Sequence, residues 1–377
     1  MKNILIVSNF YYPELTPRAF RVHELVKEFV KLKHNVTLVL PNKEIYKAEK
    51  FTLPGLNIVY SDSKEKKIIK HKKNNTKQNS NKVAFTKYFK NIIKFFFPKE
   101  LFQTYDKGLT KSLISINAKY DVLISVSQPT SVHFSVIFAL LSNKYIRKIP
   151  NKYAEFSDPL FSGSCTKIFP LYHLIGFTFS CFFDFFAIPT KNSIPYFSKF
   201  KSENNIKIIP QGFDFSQIKT KSYSENNIIT FAYAGSFYEK LRNPKYFFEY
   251  LNRFTIDFRF IVYTKSNFVI NMINEFPLLK DKIIFKEFIP REELIYELSA
   301  FDFLINFENE SSLMVPSKLI DYALCKRPIL SFNSVTFDSK KFDSFINRDF
   351  KDAKIIDTEN YNISNVVKNF LVDQKLL

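Results

Sequence analysis

The stretch that most constrains how this chain can fold runs from Phe301 to Phe332, FDFLINFENESSLMVPSKLIDYALCKRPILSF. It reads as a buried strand (FDFLINF), a polar loop (ENESS), a short helix opening at Pro316-Ser317, and a second strand (PILSF). Two short apolar runs around one helix predict a parallel βαβ crossover. Pro316 has no N–H to donate and Ser317 is a preferred capping residue, so the helix is expected to start there. The free N–H groups and partial positive charge of a helix start suit a phosphate, and Lys318 adds a full charge at the same end. Asp321 lies four residues after Ser317 and three after Lys318, on one helical face. A carboxylate one turn below a phosphate can accept hydrogen bonds from ribose hydroxyls. The same spacing also fits a plain cap, a solvated lysine and a surface acid.

The chain has 377 residues, enough for about two domains at roughly 100–200 residues each. Its 55 basic and 36 acidic residues give a formal charge of +19, which favours anionic partners such as phosphates, nucleic acid or acidic lipid. Three cysteines, Cys165, Cys181 and Cys325, are far apart and lack metal-ligand spacing, as expected of reduced thiols in a cytosolic compartment. No zinc motif occurs among the five histidines. The opening MKNILIVSNFYYPE has an apolar run too short for a signal peptide and reads as a first buried strand. Glycine is scarce, and Gly212 and Gly235 both fall at the ends of predicted strands, where α/β proteins place ligands. The abundance of Phe (45) beside the absence of Trp reads as base-composition bias and carries no function.

In chain order, ILIVS (4–8), NVTLVL (35–40), DVLISVS (121–127) and FFAIPT (185–190) are expected strands, with helices over Val22 to Leu32 and near 101–117. No G-x-G-x-x-G follows the first strand, so a dinucleotide fingerprint is missing. Residues 61–82 are rich in Lys and Asn and read as a solvated loop rather than a nucleic-acid tail, because aromatic interleaving is missing. Residues 84–97 place Phe85, Phe89, Ile92, Ile93 and Phe96 on one helical face and Lys87, Lys90 and Lys94 on the other. That pattern fits a helix covering the core or one lying on an anionic membrane. The Phe-rich run Ile168 to Pro189 mimics a membrane span in length, but Pro170, His173, Gly176 and Asp184 interrupt it. The second half repeats the alternation: strands at 229–235, 258–264, 283–288, FDFLINF and PILSF, with helices near 244–254, 267–276, 291–299, 317–325 and 363–371. Two successive α/β halves imply two doubly wound domains.

Five segments, in order, resemble one known family. YYPELTPRAFRVHELVKEFVKLKHNVTLV resembles its opening loop and first helix, YAEFSDPLF its Asp-Pro segment, IIPQGFD its entry to the second domain, YAGSFYEKLRNP its first donor loop, and VPSKLIDYALCKRPIL its nucleotide-sugar motif. The chain thus resembles the GT-B glycosyltransferases of the large retaining family four, which includes bacterial lipopolysaccharide and capsule enzymes. The resemblance implies two Rossmann-like domains facing a cleft: an acceptor domain over residues 1–194, a donor domain over 195–362, and a terminal helix from 363 crossing back to the first. It implies transfer of a sugar with retention from a nucleoside diphosphate to a lipid-linked or polysaccharide acceptor, without a metal, at the cytoplasmic face of a membrane that the 84–97 helix could touch.

Residue by residue, the resemblance implies that Gly235 and Ser236 let the backbone approach the donor diphosphate while Lys240 and Arg242 neutralise it. Pro316, Ser317 and Lys318 would hold the same group from the helix side, Asp321 the ribose, and the backbone of Glu287, Phe288 and Ile289 the base. Asp158 would orient the acceptor or the donor sugar, and Arg18 and Arg21 an acceptor phosphate. Two family residues are replaced. Leu313 stands where a glutamate usually contacts the donor sugar, leaving Glu308 or Glu310 to substitute, and Ser127-Gln128-Pro129 stands for a His-Glu-Pro, with His133 nearby to assist. These replacements keep two other readings open: a catalytically silent nucleotide-sugar binder, and a nucleotide-sugar epimerase of the same fold. A nucleic-acid binder has only the net charge behind it, and no nucleic-acid partner is expected.

Overall fold

The computed structural model describes residues 1–48, 53–61, 105–158, 172–239, 242–308, 317–333 and 337–371. The 84–97 stretch, Lys240, Glu310, Leu313 and Pro316 lie outside the described residues. The chain divides into two compact units, Met1–Phe213 with Ile363–Leu377, and Asp214–Asn362.

The first unit is a parallel sheet of β1 (Asn3–Val7), β2 (Asn35–Leu40), β3 (Leu56–Tyr60), β4 (Val122–Val126), β5 (Asn151–Glu155), β6 (Phe185–Ile188) and β7 (Ile206–Ile208). Their order is β3-β2-β1-β4-β5-β6-β7, so the winding reverses between β1 and β4. Apolar clusters cover both faces, which is why β1 and β4 read as unbroken apolar runs rather than alternating ones. The second unit has β8 (Ile229–Ala234), β9 (Phe258–Tyr263), β10 (Ile283–Lys286), β11 (Phe303–Glu308) and β12 (Ile329–Asn333) in the order β10-β9-β8-β11-β12, reversing between β8 and β11. β11 and β12 pair in parallel, Leu304 opposite Ile329, as the βαβ reading of Phe301 to Phe332 expects. Phenylalanine fills this unit's core: Phe231 stacks on Phe260 and on Phe303, with ring centroids 4.8 Å apart in each pair.

Several expectations need correction. The first unit extends to Phe213, not to residue 194, because β7 pairs with β6 (Phe186 opposite Ile206) and completes that sheet. The first helix begins at Pro17 rather than Val22, since the Thr16 side chain accepts a hydrogen bond from the Ala19 N–H (3.1 Å) and Pro17 presets the first turn. β3 and β5 escape an apolar-run criterion because LNIVY and NKYAE carry polar residues. The Ile168 to Pro189 run contains an 11-residue helix, Tyr172–Phe182, followed by β6. Among the described residues no helix is long and apolar enough to cross a membrane.

The terminal helix Ile363–Leu371 packs on the first unit, burying Ile363, Val366, Val367 and Phe370. Ser364 donates to Glu28 (2.6 Å), and the Lys2 ammonium donates to the Leu371 carbonyl (2.7 Å). Phe370 sets its edge on Tyr153, 5.1 Å away, at the middle of the sheet. Phe370→Ala should therefore cost about 3–5 kcal/mol, the usual range for emptying a buried aromatic site. A denaturant titration of the first unit should show a lower midpoint.

Candidate functional site

All pairings in the second sheet are parallel, so the segments after β8, β9, β10 and β11 emerge at one edge. Open α/β sheets bind ligands outside the strand ends where the winding reverses, here beyond β8 and β11. Gly235 follows β8 and Ser317 opens the helix after β11, so the sequence candidates converge on that point.

Gly235 has φ +150, and a Cβ built there would lie 2.9 Å from the Tyr233 hydroxyl. No larger residue fits without shifting that hydroxyl, which donates to the Ser236 carbonyl at 3.0 Å. The loop then folds back. The Arg242 N–H donates to the Tyr238 carbonyl (2.9 Å), and the Arg242 guanidinium reaches the Ser236 carbonyl at 3.4 Å. Burial pushes the Tyr233 phenol up to about 12, while the charge of Arg242 pulls the other way.

From the helix side, the Lys318 ammonium sits 4.8 Å over the Tyr233 ring and donates to the Phe307 carbonyl at 3.4 Å. Burial, and then the charge of Arg242, pull Lys318 down to about 7. One turn later the buried Tyr322 hydroxyl accepts from the Ala234 N–H (2.6 Å) and donates to the Ala234 carbonyl (3.3 Å). The Ser317–Leu324 helix is thereby fastened to the end of β8. Tyr233 and Tyr322, absent from the sequence candidates, connect the loop, both cations and the helix. Tyr322 was visible as the residue one turn after Lys318, but its partner was not.

Asp321 is half-buried and paired. Arg291, first residue of the Arg291–Leu298 helix, places Nε 2.8 Å and Nη2 2.7 Å from Oδ1. Desolvation raises the Asp321 pKa and Arg291 opposes the rise. The surface-acid alternative does not hold. Glu287 and Phe288 are exposed beyond β10, and Ile289 is partly buried against the core that holds Ile295 and Leu319. Glu308 accepts from Lys354 and Ser331, both at 2.7 Å, and Lys354 chiefly holds it below the usual carboxylate range.

In the first unit the candidates fare differently. Arg21 is 1% exposed: its Nε lies 3.4 Å from Glu155 Oε1, and it donates to the carbonyls of Ile209 (3.1 Å) and Pro210. It holds β5 to the segment after β7 and is not available to an acceptor phosphate. Arg18 donates to Glu155 (3.1 Å) and to the Ser127 carbonyl (3.2 Å) at the strand ends where this sheet reverses. Glu155, missed in the sequence, is the shared partner; its one signal was a charge at the end of an otherwise buried run.

His133 is neither catalytic nor on a helix surface. It is fully buried, within 5.5 Å of the rings of Phe156, Phe179 and Phe183, with Nδ1 2.7 Å from the Ser125 hydroxyl. Burial lowers it to about 3, so it stays neutral. Asp158 is exposed beyond β5 and accepts from the Ser157 hydroxyl (2.9 Å). Among the described residues no group of three His, Cys, Asp or Glu could hold a metal ion.

Arg21→Ala would leave Glu155 to Arg18 alone and strip the Ile209 and Pro210 carbonyls of their donor, a loss of about 1–3 kcal/mol for each buried acceptor left unsatisfied. Thermal unfolding should show the first unit melting well below the wild type.

No protein-family model matches the chain, and no curated protein matches it in sequence. Solved structures do. The chain is similar to the lipopolysaccharide outer core galactosyltransferase WaaB (13% identity, TM-score 0.56, 98% of each chain covered). It is similar to a glycosyltransferase from Rickettsia africae (11%, 0.56, 100% of this chain and 98% of that one). A third match is Anabaena HepE in complex with UDP and glucose (11%, 0.50, 100% and 98%). At these identities the likeness establishes the fold, which is GT-B: two Rossmann-like α/β units of the kind the resemblance implied.

Proposed function

We propose that this protein is a retaining glycosyltransferase that moves a sugar from a nucleoside-diphosphate sugar to a lipid-linked or polysaccharide acceptor in surface-glycan synthesis. The observation that carries the reading is the point where the second sheet reverses. There a loop requiring glycine, two cations gathered on Tyr233, a helix start and a half-buried carboxylate come together. The names of WaaB and of HepE with UDP and glucose point the same way.

In this reading the Gly235-Ser236 backbone and the start of the Ser317 helix receive the diphosphate. Lys318 and Arg242 neutralise the charge that grows on the leaving group, a role the loop's Lys240 would share. No resident metal is invoked. The acceptor hydroxyl attacks the anomeric carbon from the face the phosphate leaves. The bond from that carbon to the phosphate oxygen breaks, a new glycosidic bond forms, and the hydroxyl proton passes to the departing oxygen. Asp321 holds the ribose, the backbone of Glu287 to Ile289 meets the base, the donor-sugar role falls to Glu310, and Asp158 orients the acceptor or the donor sugar. The charge of +19 suits an anionic, lipid-linked acceptor at the inner face of the plasma membrane.

Incubation with UDP-, GDP- and ADP-sugars, with and without magnesium, tests the assignment. Slow release of one nucleoside diphosphate, accelerated by a glycan or lipid-linked acceptor, is expected. Tight binding with no release would mark a silent binder, and no binding at all would remove the donor site.

Lys318 adds a pH signature. Lowered to about 7 without ligand, it is mostly neutral above that pH, whereas a bound diphosphate favours the ammonium. Binding therefore takes up a proton, and affinity should fall as pH rises through about 7. Lys318→Ala should weaken binding by about 1.5–3 kcal/mol below that pH, the worth of a charged hydrogen bond, and flatten the difference above it. Calorimetry in two buffers of different ionisation enthalpy measures both.

A further inference from the structure

Arg291 was no part of the expected site, yet it is the ion-pair partner of Asp321. The contact is lopsided. A guanidinium usually meets a carboxylate as a fork, one nitrogen on each oxygen. Here Nε and Nη2 both approach Oδ1, at 2.8 and 2.7 Å, and among the described residues no hydrogen bond reaches Oδ2. Asp321 is 20% exposed and Arg291 30%, so the pair lies at the rim of the site rather than in the core. A carboxylate oxygen has about two acceptor positions, so Oδ2 retains what two adjacent hydroxyls of a ribose would need.

We propose that Arg291 is a positioning residue for ribose: it holds the Asp321 carboxylate by one oxygen and turns the other toward the nucleoside. This rests on the donor-site reading and deepens it, because it gives the selection of a ribonucleoside to a residue that does not itself touch the diphosphate. Burial favours the protonated acid at Asp321, and Arg291 opposes that. Without the guanidinium the carboxyl loses both its orientation and its nearest positive charge. Glu292, next in the chain, pushes further toward protonation.

The test separates ribose from phosphate. Binding of UDP, GDP and ADP, and of inorganic pyrophosphate, is measured by calorimetry on the full chain and on Arg291→Gln and Arg291→Lys. For the best-bound nucleotide, Arg291→Gln should weaken affinity tenfold or more while pyrophosphate binding changes less than twofold. Arg291→Lys should recover part of the loss. The 2′-deoxynucleotide, which keeps only the 3′-hydroxyl, should lose less affinity in Arg291→Gln than the ribonucleotide does. Unchanged or tighter nucleotide binding by Arg291→Gln overturns the positioning role and leaves the donor site standing. Equal losses for nucleotide and pyrophosphate also overturn it. A wild-type chain that binds pyrophosphate as well as any nucleotide overturns the ribose site and this inference together. Should Arg291→Gln not fold, Arg291→Lys decides, since it must weaken nucleotide and spare pyrophosphate.

Discussion

The candidate site depends on the hydroxyl of Tyr322. Fully enclosed, it bonds both the N–H and the carbonyl of Ala234, the last residue of β8. This fastens the Ser317–Leu324 helix to the end of the strand that Gly235 follows. The next layer is Tyr233, one residue back along β8. Its hydroxyl closes the Gly235-Ser236 turn, and its ring lies under Lys318. A lysine in this place is desolvated and near a second cation, which brings its pKa to about 7 and leaves the site short of negative charge. An anionic ligand answers that shortage more directly than any side chain nearby.

The first unit uses charge for a different purpose. Arg18 and Arg21 converge on Glu155, with Arg21 also bonding the carbonyls that follow β7. Buried ion pairs contribute little net stability, but breaking one is costly, because the survivor keeps its desolvation without its partner. The arrangement fixes the ends of β4, β5 and β7 relative to the first helix. His133, enclosed by three phenylalanine rings, belongs to the same core.

Much of the architecture was legible because parallel strands buried on both faces write themselves as short apolar runs. FDFLINF, PILSF and ITFAYA emerged where expected, and so did the helix opening at Ser317. β5 did not, since NKYAE places a lysine and a glutamate in a strand whose charged end is neutralised by Arg18, 137 residues away in the chain. Nothing local announces such a pairing. The same holds for Arg291 and Asp321, 30 residues apart: helical spacing placed Asp321 on the right face but said nothing of what would lean on it. His133 was misjudged because the rings that bury it, Phe156, Phe179 and Phe183, come from elsewhere in the fold and not from its neighbours Val132 and Phe134.

The most direct measurement is a crystal structure of the protein grown or soaked with the nucleoside diphosphate that binds it best. The account predicts the diphosphate against the Gly235-Ser236 backbone with Lys318 and Arg242 in contact, and the ribose hydroxyls on Asp321. A nucleotide bound elsewhere, or seated there with its ribose turned away from Asp321, would contradict it.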